Sequence, residues 1–144
     1  FTADPTTRKL AGDLLNGVYF SSWLMPVSAD DPDIKAYRDN VGKLYPADPV
    51  GVFGLNGWSN AALFVKGFKA LLDSGKPLTR ASLVDVMETL KDQNIGGARK
   101  VTFMANDHRG ARQEGIIQAA PDGSFKLVRD FRPYPAAVFD AKIS

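Results

Sequence analysis

The hydrophobic period of this 144-residue chain changes once, at Asn94, and that change limits what it can fold into. Before it, apolar residues return every three or four positions, as on helices with one buried face. Beyond it, short runs alternate between turn residues, as in strands. The chain therefore reads as a helical layer followed by a strand cluster. Asp4-Pro5-Thr6-Thr7 starts a short helix over 4–15, with Leu10, Leu14 and Leu15 on one side, and Asn16-Gly17 ends it. Gly17-Val18-Tyr19-Phe20 is a brief β run ahead of the helices. Ser21 to Pro26 then leaves that run as a crossover strand or a loop.

Three helices follow. Asp31 caps the first, Pro32 takes its first position, and Ile34, Tyr37, Val41, Leu44 and Tyr45 recur at helical spacing until Pro46. A longer one runs from about Asn56 to Ser74, with Ala61, Phe64, Val65, Phe68, Leu71 and Leu72 on one face. Gly75 and Pro77 close it. Thr79 caps the third, which carries Leu83, Val86, Met87 and Leu90. Strands are expected over 99–104, 115–119 and 124–128. Asp107-His108-Arg109-Gly110 joins the first two, and Pro121-Asp122-Gly123 turns a hairpin between the last two. The tail from Arg132 to Ser144, with two prolines and Phe139, has little periodicity.

Val18 to Phe20 needs neighbouring strands that this pattern barely supplies, which predicts a piece of a larger architecture. The opening Phe1, with no secretory signal after it, fits either a trimmed mature protein or a piece of a longer polypeptide. The charges are 18 Lys+Arg against 16 Asp+Glu, with one His and no Cys. That balance excludes a strongly basic nucleic-acid binder, and the missing Cys excludes disulfides and thiolate metal sites. One His cannot make a His-based metal cluster, and no apolar run is long enough to span a membrane. Asp30, Asp31 and Asp33 crowd a helix start, where capping and the helix dipole explain them without a cation. No cofactor or metal is implied.

Candidate chemistry is sparse. Asp107-His108-Arg109 sets an acid, an imidazole and a guanidinium side by side, but neighbours on a turn rarely converge. A turn tied by local hydrogen bonds and ion pairs accounts for them, and no nucleophile motif accompanies His108. Gly51, Gly54 and Gly57 precede the long helix, where a glycine-rich approach lets backbone N–H groups meet a small anion or pack tightly. Phe53 and Trp58 bracket those glycines and, with Asn56, either wall a small-molecule cleft or pack in the core. Ser22, Trp23 and Met25 pose the same choice where the chain leaves the β run.

The succession of these pieces resembles a known family. Gly17-Val18-Tyr19-Phe20, the Asp31-Pro32 helix ending Lys43-Leu44-Tyr45-Pro46, and Gly57-Trp58-Ser59-Asn60-Ala61 come in order. Gly97-Ala98-Arg99-Lys100-Val101-Thr102-Phe103, Asp107-His108-Arg109-Gly110 and Asp122-Gly123-Ser124-Phe125 follow. The series is similar to the C-terminal part of Leu/Ile/Val-type (branched-chain amino acid) solute-binding proteins of ABC transporters. These have the α/β type I periplasmic binding fold with Rossmann-like lobes.

The resemblance implies that residues 1–144 contribute to both lobes of a two-lobed binder, with a crossing near 21–26. It implies a non-catalytic protein that holds an amino acid or related small carboxylate, aromatic acids included, in the interlobe cleft. Delivery to a membrane permease follows, from the periplasm or as a cell-surface lipoprotein. It places Phe53 and Trp58 at the ligand, with Gly54, Asn56, Trp23 and Ser22 as further contacts. Two rivals remain: a ligand-sensing regulatory domain of the same fold (for amides, urea or aromatic acids), and a small hydrolase using His108.

Overall fold

The computed structural model describes residues 3–135. Helix α1 spans Pro5–Ala11 and continues as a 3-10 turn over Gly12–Leu15. Strand β1 (Tyr19–Ser22), helices α2 (Pro32–Leu44), α3 (Val52–Asp73) and α4 (Arg80–Met87), and strands β2 (Gln93–Ile95) and β3 (Ala98–Val101) follow. Strands β4 (Gln113–Ala119) and β5 (Phe125–Pro133) complete the described elements. No helix among the described residues is long and apolar enough to cross a membrane.

Local chemistry sets several of these boundaries. Asp31 Oδ1 accepts from the backbone N–H groups of Asp33 (3.0 Å) and Ile34 (3.2 Å), so α2 starts where its cap satisfies two orphan donors. The same carboxylate's Oδ2 accepts from Arg99 at 2.6 Å, tying β3 to the start of α2. Thr79 Oγ1 caps α4 by accepting from Ser82 N at 3.1 Å. The β4–β5 hairpin turns at Gly123, whose φ of +84° suits glycine, while Asp122 Oδ1 accepts from Ser124 N at 3.0 Å.

β1 pairs antiparallel with β4, which pairs antiparallel with β5, in the order β1-β4-β5. The early β run, for which the pattern barely supplied neighbouring strands, thus finds one in β4. Its partner lies about a hundred residues away, with Tyr19 opposite Gln118 and Ser22 opposite Gly115. The strand expected over 99–104 also pairs differently. As β3 it forms a separate hairpin with β2 and does not join β4 through 107–110. β5 runs on to Pro133, through residues assigned to the tail, whereas Phe139 lies outside the described residues.

The sheet buries Ile117, Ala119 and Phe125 against Ala3, Leu15, Phe20 and Leu127, with the Phe20 and Phe125 rings edge to face at 5.9 Å. Among the helices, Ile34, Tyr37 and Leu55 pack with Met25, Val41 and Trp58. Leu24, Val52, Ala98 and Val101 join α3 to the β2–β3 hairpin. After β1 the chain moves between these regions: Leu24 bridges Ala98, and Met25 N–H donates to the Gly97 carbonyl at 2.8 Å.

α3 corrects the sequence in two ways. It begins at Val52, four residues before Asn56, so Gly54 and Gly57 are helical rather than part of an approach loop. Its buried stripe is Leu55, Ser59, Gly67 and Leu71, whereas Phe64, Val65, Phe68 and Leu72 are exposed. The buried stripe contains a serine and a glycine because neighbours press closely there. A Cβ at Gly67 would run into Met87 Sδ on α4. Small residues at a helix contact carry no hydrophobic signal, so of the expected apolar face only Leu71 is buried, and periodicity otherwise picked out exposed positions. Leu10 and Leu14, placed with Leu15 on one side of the first helix, are 84% and 87% exposed.

Candidate functional site

The start of α3 is already occupied by a carboxylate of the chain itself. Gly51 is the N-cap and has no side chain to offer. Asp4, 2% exposed, fills the role from α1: its Oδ2 accepts from Val52 N–H at 2.8 Å, and its Oδ1 accepts from Thr6 N–H at 2.8 Å. One acid thus satisfies orphan donors at two helix starts, where the helix dipoles also favour negative charge. The glycines there serve packing. A Cβ at Gly51 would sit 2.5 Å from Asp4 Oδ2, and one at Gly54 would collide with the Tyr37 hydroxyl. That hydroxyl donates to the Gly51 carbonyl at 2.8 Å, and burial raises its pKa above the usual tyrosine value. The helix N-terminus therefore does not stand open to an anion.

The six residues singled out from the sequence fall in three places. Phe53 and Asn56 lie one turn apart near the start of α3; Phe53 is 62% exposed, and Asn56 Oδ1 accepts from Asn60 Nδ2 at 3.2 Å. Gly54 and Trp58 line an open depression between α2 and α3 with Tyr37, Val41 and Tyr45, and the Trp58 ring tilts against Tyr37 at 6.1 Å. Trp23 lines a second cavity, while Ser22 Oγ donates to the Leu24 carbonyl at 2.7 Å and shapes the turn after β1.

The second cavity, about 290 Å³, lies between α3, the β2–β3 hairpin and the 103–111 segment. Its walls are Trp23, Leu63, Ile95, Val101 and Phe103, and its polar residues are Ser59, Asn60 and His108. Ser59, not singled out from the sequence, fixes this geometry. Its Oγ donates to the Leu55 carbonyl at 2.8 Å and accepts from Gly97 N–H at 2.9 Å, pinning the hairpin to the helix. A Ser inside an apolar helical run was the available signal, since such a residue has to find partners when buried. Ser59 and His108 border the same cavity, yet the serine proton goes to Leu55 and His108 Nε2 pairs with Glu88 Oε1 at 2.8 Å. No serine–histidine hydrogen bond of the kind a hydrolase needs is made between them.

The Asp107-His108-Arg109 turn pairs Asp107 with Arg109 and turns His108 away to Glu88. Asp107, its side chain 12% exposed, accepts from Arg109 Nε at 2.9 Å and from Arg112 at 2.5 Å. The Arg109 hydrogen bonds foremost hold the Asp107 carboxyl well below the usual range; bonds from Lys126 and Ser124 do the same for Asp122. Stability from both carboxylates is complete above their unfolded pKa, near 4, and is lost as pH falls through the lower folded values. Denaturation midpoints are therefore expected to fall below about pH 4. Asp107→Asn should flatten that fall, and an unchanged pH profile would show that the Arg109 and Arg112 pairs do not contribute.

The profile of the periplasmic binding protein family matches residues 1–124. The chain belongs to the periplasmic binding protein family. This family's fold is also seen in a branched-chain amino acid ABC transporter protein from Thermus thermophilus, solved with bound valine. The match has a TM-score of 0.78 at 22% identity over 91% of this chain and 37% of that one. A fatty acid ABC transporter substrate-binding protein from Thermomonospora curvata matches with a TM-score of 0.77 at 22% identity, over 93% and 35% of the two chains. An extracellular ligand-binding receptor from Rhodopseudomonas palustris matches at 25% identity with a TM-score of 0.66, over 88% and 38%. No curated protein matches the sequence. The chain spans a little over a third of the length of these periplasmic binding proteins. Its helices and strands form part of the type I periplasmic binding fold.

Proposed function

We infer that this chain is part of the extracytoplasmic solute-binding component of an ABC transporter, which captures an amino acid or related small carboxylate and delivers it to a membrane permease. The observation that carries the reading is the family match over residues 1–124, together with the fold shared with the valine-bound protein over 91% of this chain. In this reading the chain contributes to both lobes, and residues 21–26, which run from β1 to the β2–β3 hairpin, are a lobe crossing. Ligand stabilises the closed arrangement by contacting both lobes.

Phe53 offers exposed apolar surface beside Asn56, and the α3 N-terminus, already capped by Asp4, is not open to an anionic ligand group. The ligand's charged end is therefore held by groups outside this chain, and its side chain meets Phe53. Trp23, Ser22, Gly54 and Trp58 support the surrounding surfaces. Calorimetric titration of the protein containing this chain with valine, leucine, phenylalanine and benzoate tests the assignment. Phe53→Ala is expected to weaken the best ligand roughly tenfold, the effect of losing part of one ring's burial. Unchanged affinity would remove Phe53 from the site, and heat-silent titrations with all four would overturn the ligand class.

A further inference from the structure

We propose that the cavity between α3, the β2–β3 hairpin and the 103–111 segment binds an uncharged aromatic group carrying an O–H or N–H donor. Its size and lining set the class. A dry apolar cavity of about 150 Å³ accommodates benzene, so about 290 Å³ admits a substituted or fused ring. Trp23 and Phe103 supply aromatic wall, and Leu63, Ile95 and Val101 supply aliphatic wall.

Among the described residues, no Asp, Glu, Lys or Arg lines this cavity. The charges around it are engaged with other groups: Glu88 with His108, Lys91 with the Phe103 carbonyl, and Asp107 with Arg109 and Arg112. An ionised ligand entering here would lose its hydration without gaining a counter-ion, which disfavours carboxylates and ammonium groups alike.

The polar atoms then specify a donor. Ser59 Oγ is used in both directions, by Leu55 and Gly97. Asn60 spends one of its two Nδ2 hydrogens on Asn56, leaving the second as a donor and Oδ1 as an acceptor. His108 donates Nε2–H to the Glu88 carboxylate, leaving Nδ1, which in the neutral ring accepts. Two acceptors against one remaining N–H favour a phenol-like hydroxyl or an indole-like N–H, which meets an acceptor, over an ether or a carbonyl, which leaves both acceptors unmet. The lining residues named here belong to this chain, and the inference stands independently of the transport reading.

The test is an NMR titration of the protein containing this chain with phenol, indole, anisole, benzoate and benzylamine. The indole N–H signals of Trp23 and Trp58 and the His108 ring serve as reporters. Phenol and indole are expected to shift Trp23 and His108 saturably and leave Trp58 in place. Anisole, benzoate and benzylamine should bind roughly tenfold more weakly, the cost of one unmet hydrogen bond or an unpaired charge. Asn60→Leu should weaken phenol several-fold and anisole less. Leu63→Trp should fill the space and abolish binding. Benzoate or benzylamine binding as tightly as phenol would overturn the neutral class, and anisole doing so would overturn the donor requirement. Shifts centred on Trp58, or no saturable shift with phenol, would overturn the site. If Leu63→Trp does not fold, the contrast between phenol and anisole in Asn60→Leu still decides.

Discussion

Asp4→Ala is expected to lower the folding stability of this chain by roughly 3 kcal/mol, as two charge-assisted hydrogen bonds and two helix caps are lost together. In the folded chain the carboxylate is buried and bridges Thr6 N–H on α1 and Val52 N–H on α3. Alanine leaves Val52 N–H without a side-chain acceptor at a site closed to water, and the Gly51 cap cannot replace it. Asp4→Asn keeps an acceptor oxygen for one helix and should cost roughly half as much. Urea unfolding of the three proteins measures this. A loss below about 1 kcal/mol for alanine would mean that Asp4 acts as an ordinary exposed cap of α1 alone.

Gly96→Ala should cost about as much, roughly 3 kcal/mol, through backbone strain added to overpacking. Gly96 has a φ of +55°, and a methyl there would lie 2.9 Å from Ser59 Cα and 3.0 Å from Ser59 Cβ, with the hydroxyl nearer still. Two of these neighbours, Cα and Cβ, cannot swing aside, so the β2–β3 hairpin has to lift from α3. That lift stretches the bond from Gly97 N–H to Ser59 and opens the cavity bordered by Trp23 and His108. Thermal unfolding should show the loss. Adding Ser59→Ala should not restore stability, because Cα remains in the way and Gly97 N–H loses its acceptor. Full recovery in the double variant would show that only the hydroxyl was in conflict.

Much of the helical layer was legible because its signals are local. Asp31 with Pro32 and Thr79 mark the starts of α2 and α4 through hydrogen bonds to N–H groups two or three residues away. Pro121-Asp122-Gly123 likewise marks the β4–β5 turn from its own backbone requirement. α3 was legible in existence but not in its start or buried face. Its cap comes from Asp4, nearly fifty residues earlier, and its contact stripe uses Ser59 and Gly67, which suit close neighbours rather than water exclusion. Of the candidate residues, Phe53 and Asn56 were separated from Gly54 and Trp58 by the turn of the helix, while Trp23 joined a cavity with residues far along the chain.

By itself, the sequence determined the order of helices and strands apart from β2, many local caps and turns, and a family resemblance spread over most of the chain. These rest on interactions within a few residues, or on the linear order of such pieces. Only the tertiary structure decided that β1 pairs with β4, that Asp4 closes the start of α3, and that Ser59 joins α3 to the β2–β3 hairpin. The period change at Asn94 marks the later strand cluster, though not β2 itself, and says nothing of strand partners. Pairing and burial depend on which distant groups satisfy one another once water is excluded, and a linear pattern does not carry that distance.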